Sequence, residues 1–248
     1  MKKKYPLLFN AFSNSDISEG VKVLRSKYLT MSTKTEKFEK FFCKKFNFKY
    51  ALMTNSGSSA NLLAVSTIIN PLRKKSLKKG DEVLVPAVCW STSLWPIVQN
   101  GLKPVFVDVE MDTFNISIKD LQKKITKKTK AIMCIHILGT SANMKELQII
   151  AKKNNIILIE DTCESLGAKY EKKYLGSFGE FSTFSFYYSH QITCGEGGMI
   201  VCQNKEDYEI LKTLRSHGWS RNTSFEKIFK KKYDKVTKGS CLLTLVTI

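Results

Sequence analysis

The chain has 248 residues, 43% of them hydrophobic and 25% charged, a composition that excludes a wholly disordered chain. This length suits one large α/β domain or two small ones. No apolar run reaches the roughly 18 residues that cross a bilayer. The basic start also has no small-residue cleavage site, so we expect neither a membrane span nor a secretory signal.

Seven cysteines are spread along the chain without a CxxC or CxC pair. Their odd number and their places inside apolar segments favour reduced, mostly buried thiols over a disulfide framework. Their spacing also gives no indication of an iron–sulfur cluster or another metal site. The expected compartment is therefore the cytoplasm.

The formal net charge of +18 comes almost wholly from lysine, since the chain has only four arginines. Specific nucleic-acid surfaces depend heavily on arginine, so we expect no specific nucleic-acid partner, although weak binding to anionic surfaces stays open. Lysine runs that flank apolar segments are typical of solvated faces. These runs lie at residues 2–4, 74–75, 78–79, 123–124, 127–128, 152–153 and 230–232.

In chain order, the first predicted element is a helix that begins near Thr33. Thr33 and Glu36 have the spacing of a capping box, in which each side chain accepts a hydrogen bond from a free amide at the helix start. Phenylalanines then recur at roughly helical spacing and predict one apolar stripe that faces the core. They are Phe38, Phe41, Phe42 and Phe46.

From residue 50 onward, short apolar strands alternate with helical segments. This alternation predicts an α/β fold, with a mostly parallel sheet covered by helices on both faces and ligands bound beyond the carboxyl ends of the strands. The predicted strands are Glu82–Pro86, Pro104–Val109, Ala131–Ile137, Ile156–Glu160, Ser182–Tyr187 and Gly198–Cys202. The predicted helices are Ser58–Ile69, Ser91–Asn100, Ile118–Ile125, Met144–Asn154 and Lys205–His217.

Two of the predicted helix starts carry residues suited to a ligand. The small residues from Thr54 to Ala60 lead into a helix, where free amides can bind a phosphate and Gly57 permits a close approach. An ordinary serine N-cap explains the same pattern. Trp90 follows a strand, and it either belongs to the core or offers a flat platform to an aromatic ring.

Polar residues also follow two other strands. The apolar strand that ends at Glu160 is followed by Asp161 and Glu164. Such carboxylates either reach solvent or serve a function, and an aspartate there can hold a pyridine nitrogen protonated, so that the ring accepts electrons. The stretch Ser182–His190 then combines hydroxyls with a histidine ahead of the Gly-rich turn 195–198. This histidine is either a structural hydrogen-bonding residue or a catalyst.

These four segments, in this order, resemble the DegT/DnrJ/StrS family of sugar aminotransferases, which are fold-type-I pyridoxal-phosphate enzymes. The resemblance runs from about Tyr28 to Arg221. It includes four further stretches whose chemistry is less evident. They are Gly80–Val83, Pro104–Val109, Leu175–Gly179 and Arg215–Gly218.

The resemblance implies roles for residues in all four segments. The amides of Gly57 and Ser58, together with the Ser185 hydroxyl, would hold the cofactor phosphate. Trp90 would stack on the pyridine ring, and Asp161 would pair with the ring nitrogen. The family thus assigns a cofactor to a set of residues that are weak signals one by one.

At two positions the chain departs from the family. Glu164 stands near the ring hydroxyl, where most members have glutamine. His190 stands where an aminotransferase of the family has the lysine that binds the cofactor covalently, and no lysine occurs between Tyr174 and Asn204. The segment Tyr187–His190 is similar to that of one subgroup, the deoxysugar 3-dehydratases that act on GDP-4-keto-6-deoxymannose.

Without that lysine, pyridoxal or pyridoxamine 5'-phosphate must be held non-covalently. The resemblance then implies 3-dehydration of a nucleotide-linked 4-keto-6-deoxyhexose, in the biosynthesis of deoxysugars for lipopolysaccharide O-antigen or another polysaccharide. Asp161 would keep the ring able to accept electrons, and His190 would act as the base, since imidazole titrates near neutral pH. Glutamate is the implied amino donor. Ser189, His217 and Arg221 are candidate substrate contacts, although a basic helix C-terminus explains the last two equally well.

The resemblance divides the chain into an N-terminal segment (1–30), a cofactor-binding large domain (31–225) and a tail (226–248) that does not match. Family members are homodimers with a smaller C-terminal domain, so we expect that domain to be missing and the cofactor site to be incomplete. Three alternatives stay open. They are an inactive or truncated aminotransferase-family protein, a non-catalytic scaffold in polysaccharide assembly, and a basic nucleic-acid-associated protein.

Overall fold

The computed structural model describes residues 8–31, 33–221 and 223–227. The helices in these ranges are α1 (Asn14–Arg25), α2 (Thr33–Phe46), α3 (Gly57–Ile68), α4 (Ser91–Gln99), α5 (Ile118–Lys124), α6 (Met144–Asn154) and α7 (Lys205–Arg215). The strands are β1 (Tyr50–Thr54), β2 (Glu82–Pro86), β3 (Lys103–Val107), β4 (Thr129–Ile135), β5 (Ile157–Asp161), β6 (Lys169–Tyr170), β7 (Lys173–Tyr174), β8 (Phe181–Ser185) and β9 (Gly198–Cys202). A 3₁₀ turn (Ile137–Gly139) follows β4.

Seven strands form one sheet in the order β1-β9-β8-β5-β4-β2-β3, and β6 pairs with β7 in a separate hairpin. The five strands from β8 to β3 in this order run parallel, whereas β9 lies antiparallel to both β8 and β1. The mostly parallel sheet expected from the sequence is therefore confirmed.

Each face of the sheet has its own apolar core, because successive side chains of a strand point to opposite faces. In β4, Ala131 and Met133 pack in a cluster with residues of α3, α4 and α7. Ile132 and Cys134 pack in a second cluster with residues of α5 and α6. Helices thus cover both faces, as predicted, and the carboxyl ends of the parallel strands open at one edge.

Every strand and helix predicted from residue 58 onward is present, with ends that differ by at most two residues. Besides the 3₁₀ turn, three features were not predicted, namely α1, β1 and the short hairpin. α1 begins with a capping box between Ser13 and Asp16, yet it buries none of its side chains. Because none of its side chains is buried, α1 has no core-facing stripe from which the sequence could predict it. Among the described strands, β1 lies at an edge of the sheet and pairs with β9 alone.

The helix predicted near Thr33 is α2, with two differences from the prediction. Thr33 is the first residue of the helix rather than its N-cap, and residue 32 lies outside the described ranges. Phe41 is 61% exposed, so its assignment to the core was wrong. A spacing of four residues keeps Phe38, Phe42 and Phe46 on one face, whereas Phe41 is turned away from it. That face packs on the aromatic cluster around Phe184.

The cysteines and lysines can be compared with the prediction wherever they are described. The six described cysteines are free, but only Cys134 and Cys202 are fully buried and Cys194 is exposed, so the expectation of mostly buried thiols was wrong. The described lysine pairs lie on exposed positions, apart from the half-buried Lys124, which confirms solvated faces. Residues 2–4 and 230–232, Cys241 and the tail 226–248 beyond its first two residues lie outside the described ranges.

A search of the described helices finds none with both the length and the apolarity of a membrane span.

Candidate active site

A cavity of about 490 Å³ opens at the carboxyl ends of the parallel strands. Parallel α/β sheets bind ligands at this edge, so its position agrees with the fold-level expectation. Eight of the ten site residues expected from the sequence line it. They are Gly57, Ser58, Trp90, Asp161, Glu164, Ser185, Ser189 and His190.

The start of α3 forms one end of the cavity. Ser56 is the N-cap, and its side chain accepts a hydrogen bond from the Ser59 amide at 3.1 Å. The Ala60 amide donates to the Ser56 carbonyl oxygen. The amides of Gly57 and Ser58 have no acceptor within the described part of the chain. Two free donors at the positive end of a helix therefore border the cavity.

Gly57 permits a very close approach between α3 and β8. A Cβ atom at Gly57 would lie 2.7 Å from both Cys163 Sγ and Ser185 Cβ, which is closer than carbon atoms can pack. Ser185 Oγ therefore lies beside the first turn of α3. It accepts a hydrogen bond from the Tyr187 amide at 3.2 Å, which leaves its own proton for an acceptor in the cavity. This group of three donors fits a phosphate.

Asp161 ends β5 and is held by three donors from three parts of the chain. Its Oδ2 accepts hydrogen bonds from Asn61 Nδ2 at 2.8 Å and from Ser93 Oγ at 2.7 Å. Its Oδ1 accepts one from the Cys163 amide at 3.1 Å. A carboxylate has about four acceptor positions, so one remains for a further donor from the cavity. A protonated pyridine nitrogen fits that position.

Glu160, the neighbour of Asp161, points to the other face of the sheet and is fully buried. It accepts backbone hydrogen bonds from Gly176, Phe178 and Gly179 at 2.8, 2.7 and 2.6 Å. His136 Nε2 lies 3.1 Å from the same carboxylate. The two carboxylates at the end of β5 therefore point to opposite faces of the sheet, and Glu160 has a structural position away from the cavity.

Trp90 and Glu164 both border the cavity. Trp90 immediately precedes α4 and is 72% exposed, which excludes the core alternative. Glu164 Oε2 accepts a hydrogen bond from the Leu138 amide at 2.8 Å, and Leu138 has the positive φ of 50° that leucine rarely adopts. The Gln191 side chain donates to the Glu164 carbonyl oxygen. The loop that carries Glu164 is therefore held from two sides.

His190 lies in the same cavity and is half-buried. Its backbone amide donates to the Tyr187 carbonyl oxygen at 3.1 Å, and its ring meets the edge of the Tyr187 ring at 6.0 Å between centroids. Burial lowers the pKa of His190, against the opposing effect of the negative charges on Glu164 and Asp161. The imidazole is therefore neutral at neutral pH and able to accept a proton. Within residues 8–31, 33–221 and 223–227, no lysine lines the cavity.

His217 and Arg221 do not line this cavity. The His217 ring meets Trp219 edge-on at 5.9 Å, and the Arg221 guanidinium lies 4.9 Å above the same indole ring. Both residues are exposed. The structure thus brings eight of the expected residues together and leaves these two in a separate exposed cluster.

Reasoning from the sequence missed three polar residues that support Asp161: Asn61, Ser93 and, behind Asn61, Thr183. Asn61 lies four residues after Gly57 and Ser93 three after Trp90, so each shares a helix face with a residue that was predicted. Thr183 lies two residues before a predicted one on its strand and shares its face. Extending each helix motif by one turn, and the strand motif by two residues, would have found all three.

The comparisons with known proteins agree with this geometry. The model of the DegT/DnrJ/EryC1/StrS aminotransferase family matches residues 11–240. The chain is 44% identical over 218 residues to GDP-4-keto-6-deoxy-D-mannose 3-dehydratase of Escherichia coli O55:H7, covering 88% of this chain and 56% of that protein. The chain therefore spans little more than half the length of this relative.

Two solved structures have the same fold. One is a mutant GDP-4-keto-6-deoxymannose-3-dehydratase with bound GDP-perosamine, with a TM-score of 0.85, 43% identity, and coverage of 88% of this chain and 56% of that one. The other is the same kind of enzyme with a trapped PLP-glutamate geminal diamine, with a TM-score of 0.84, 44% identity and the same coverage. Since the family model matches most of the chain, including all of the segments that form the cavity, the chain belongs to the DegT/DnrJ/EryC1/StrS aminotransferase family.

Proposed function

We propose that this chain binds pyridoxal or pyridoxamine 5'-phosphate without a covalent bond and serves the 3-dehydration of a nucleotide-linked 4-keto-6-deoxyhexose. One observation carries the proposal: the cavity unites Asp161 and the base His190, and none of the described residues that line it is a lysine. The similar enzymes named as 3-dehydratases support this activity, and a structure of one contains a cofactor–glutamate adduct. The corresponding process is the synthesis of deoxysugars for lipopolysaccharide or another polysaccharide.

The phosphate would be held at the first turn of α3. The free amides of Gly57 and Ser58 point from a positive helix end, and the Ser185 hydroxyl has a proton to donate. Because Gly57 has no side chain, β8 can approach this turn closely. All three groups are in place without any change in the protein, so binding would require little reorganisation.

The ring would lie between Trp90 and the end of β5. Asp161 would hold the ring nitrogen protonated through its remaining acceptor position, and the exposed indole of Trp90 would cover a ring face. With its nitrogen protonated, the bound cofactor supplies an electron sink. Glu164 would face the ring hydroxyl with the oxygen that does not accept from Leu138.

His190 would carry the proton transfers. Its lowered pKa keeps the imidazole neutral at neutral pH, so it is ready to accept a proton beside the cofactor. The imidazolium formed in this way would donate that proton to the 3-hydroxyl of the sugar, which leaves as water. Ser189, next to His190 and in the same cavity, would contact the sugar.

The partners follow from the same proposal. The GDP-perosamine in one similar structure supports a GDP-linked sugar as substrate, and the glutamate adduct in another supports glutamate as amino donor. Substrate contacts from His217 and Arg221, a homodimer, a cytoplasmic location and a cofactor-binding domain at 31–225 remain predictions from the sequence.

The test mixes the purified chain with pyridoxal phosphate and glutamate. Absorption spectra follow binding and conversion to the amine form, and borohydride treatment followed by intact-mass measurement detects any covalent adduct. We expect bound cofactor that converts to the amine form and no lysine adduct. A matched His190→Lys variant should form the adduct, since it restores the amine expected in an aminotransferase of this family.

Two results contradict the proposal. A borohydride-stable adduct on an active-site lysine of the unaltered chain would return the protein to the aminotransferases. Failure of the unaltered chain to bind the cofactor would favour an inactive member of the family or a scaffold protein. In that second case, salt-sensitive retention on a polyanion column would instead indicate binding to nucleic acid.

A further inference from the structure

Asp161 is connected to a buried chain of hydrogen bonds that the proposed mechanism does not require. Asn61 Nδ2 donates to Asp161 Oδ2 at 2.8 Å, and Thr183 Oγ1 donates to Asn61 Oδ1 at 2.7 Å. Asn61 is 1% exposed and Thr183 is fully buried. The three residues come from α3, the end of β5 and β8, so the chain of bonds connects three elements of the fold.

The order of these bonds determines the orientation of the Asn61 amide. The amide oxygen can only accept, so the Thr183 hydroxyl must donate to it. The amide nitrogen then faces Asp161. In the reversed orientation an amide oxygen would meet a carboxylate oxygen, and two buried acceptors would be left facing each other. The Asp161 carboxylate therefore sets the orientation of the amide, and the Thr183 hydroxyl supplies the donor that the buried Asn61 oxygen then needs.

Asn61 also links the two ends of the cofactor site. It lies one helical turn after Gly57 on α3, which corresponds to a rise of about 6 Å. The first turn of this helix carries the free amides, and the second turn holds Asp161. Any displacement of α3 would therefore move the phosphate donors together with the amide group that donates to Asp161.

We propose that Asn61, whose amide oxygen is held by the Thr183 hydroxyl, is a positioning residue that keeps the Asp161 carboxylate aimed at the cofactor ring nitrogen. This inference rests on the proposed function, because it concerns the cofactor of that site. Neither residue touches the reacting atoms. Their effect would be on the protonation of the ring nitrogen and on the affinity for the cofactor.

The test uses three variants of the hydrogen-bond chain from Thr183 through Asn61 to Asp161 and one matched control. Thr183→Val removes the hydroxyl at nearly constant volume, Thr183→Ser retains it, and Asn61→Leu removes the amide. The control is Thr162→Val, since Thr162 is also fully buried but its hydroxyl has no partner in the described structure. For each protein, nitrogen-15 NMR of bound pyridoxal phosphate labelled in the ring follows protonation against pH. Cofactor titration and thermal unfolding without cofactor complete the set.

We expect Asn61→Leu to weaken cofactor binding about tenfold and to lower the pH midpoint of the ring nitrogen by about one unit, as expected for loss of a bond to a charged group. Thr183→Val should weaken binding about threefold with a smaller shift. Thr183→Ser and Thr162→Val should match the unaltered chain. If Asn61→Leu does not fold, the Thr183 pair decides the question.

Unchanged nitrogen protonation and affinity in Thr183→Val would overturn the inference while leaving the proposed function intact. A shift in Thr162→Val equal to that in Thr183→Val would also overturn it, because loss of any buried hydroxyl would then suffice. Failure of the unaltered chain to bind pyridoxal phosphate would overturn the proposed function and this inference together.

Discussion

Glu160 and Asp161 are adjacent carboxylates at the end of one buried strand, yet they have different surroundings. Glu160 points to the side of the sheet away from the cavity and receives three backbone amides and His136. Asp161 points into the cavity and receives Asn61, Ser93 and one backbone amide. A carboxylate saturated by fixed donors stabilises the fold, whereas one with an acceptor position left can bind a ligand.

The donors themselves differ as well. The backbone amides that donate to Glu160 belong to the loop after β7 and have fixed positions, so Glu160 holds that loop against the sheet. Two of the donors to Asp161 are side chains on α3 and α4, the helices that border the cavity. The same residue type therefore contributes mainly to stability on one face and mainly to the candidate site on the other.

The largest expected effect comes from Glu160→Gln. The new amide group would place donors against donors in a fully buried site, so we expect the free energy of unfolding to fall by about 3 kcal/mol. Urea denaturation measures the loss. The matched control is Glu164→Gln, which should lower the free energy of unfolding by less than about 1 kcal/mol, because Glu164 is only half-buried and its side chain accepts one hydrogen bond, from a backbone amide. Equal losses would abolish the comparison.

Asp161→Asn should have the opposite profile. We expect cofactor affinity to fall about tenfold to a hundredfold, since the bond to the protonated ring nitrogen loses its charge. The unfolding free energy should fall by only about 1–2 kcal/mol, because one new N–H would oppose the Cys163 amide. Fluorescence titration with pyridoxal phosphate and urea denaturation give the two quantities. A large stability loss with unchanged affinity would contradict the assignment.

Gly57→Ala tests the contact that places the phosphate donors. The added methyl would collide with Cys163 Sγ and Ser185 Cβ, each at 2.7 Å, so we expect a loss of about 1–3 kcal/mol and weaker cofactor binding. Gly20→Ala is the control, because Gly20 lies inside α1 with no atom within 4 Å of the added carbon. That change should be neutral or stabilise by up to about 1 kcal/mol. Similar effects at both glycines would rule out the close approach.

The smallest expected effect is on the pH dependence of stability through His190. Burial lowers its pKa in the folded chain below the value of about 6.5 for free imidazole. The unfolded chain therefore binds the proton first as pH falls, and this stability, complete above about pH 6.5, is lost as pH decreases through the folded pKa.

The contribution of His190 to stability is measured as the unfolding free energy of the unaltered chain minus that of His190→Gln. The difference should decrease from pH 7.5 to pH 5.5. An increase over that range would mean that the nearby carboxylates Glu164 and Asp161 outweigh burial.

Much of the architecture follows from local patterns. Apolar runs and helical periodicity predicted the strands and helices from residue 58 onward to within two residues, because burial on both faces of a parallel sheet requires continuous apolar strands. Short motifs at strand ends and helix starts, taken together with the family that they resemble, predicted eight of the residues that line the cavity. These motifs depend on the backbone of a few neighbouring residues, which the sequence displays directly.

The tertiary structure alone decided which polar residues meet. Asn61 and Asp161 are 100 residues apart, and Thr183 is 122 residues from Asn61, so no local pattern relates them. The same holds for the exposed positions of His217 and Arg221 away from the cavity. The sequence determined which elements form and which ends carry polar groups. Only the tertiary packing determined which carboxylate is saturated, because the donors to Glu160, in the loop after β7 and at His136, and the side-chain donors to Asp161, on α3 and α4, come from distant parts of the chain.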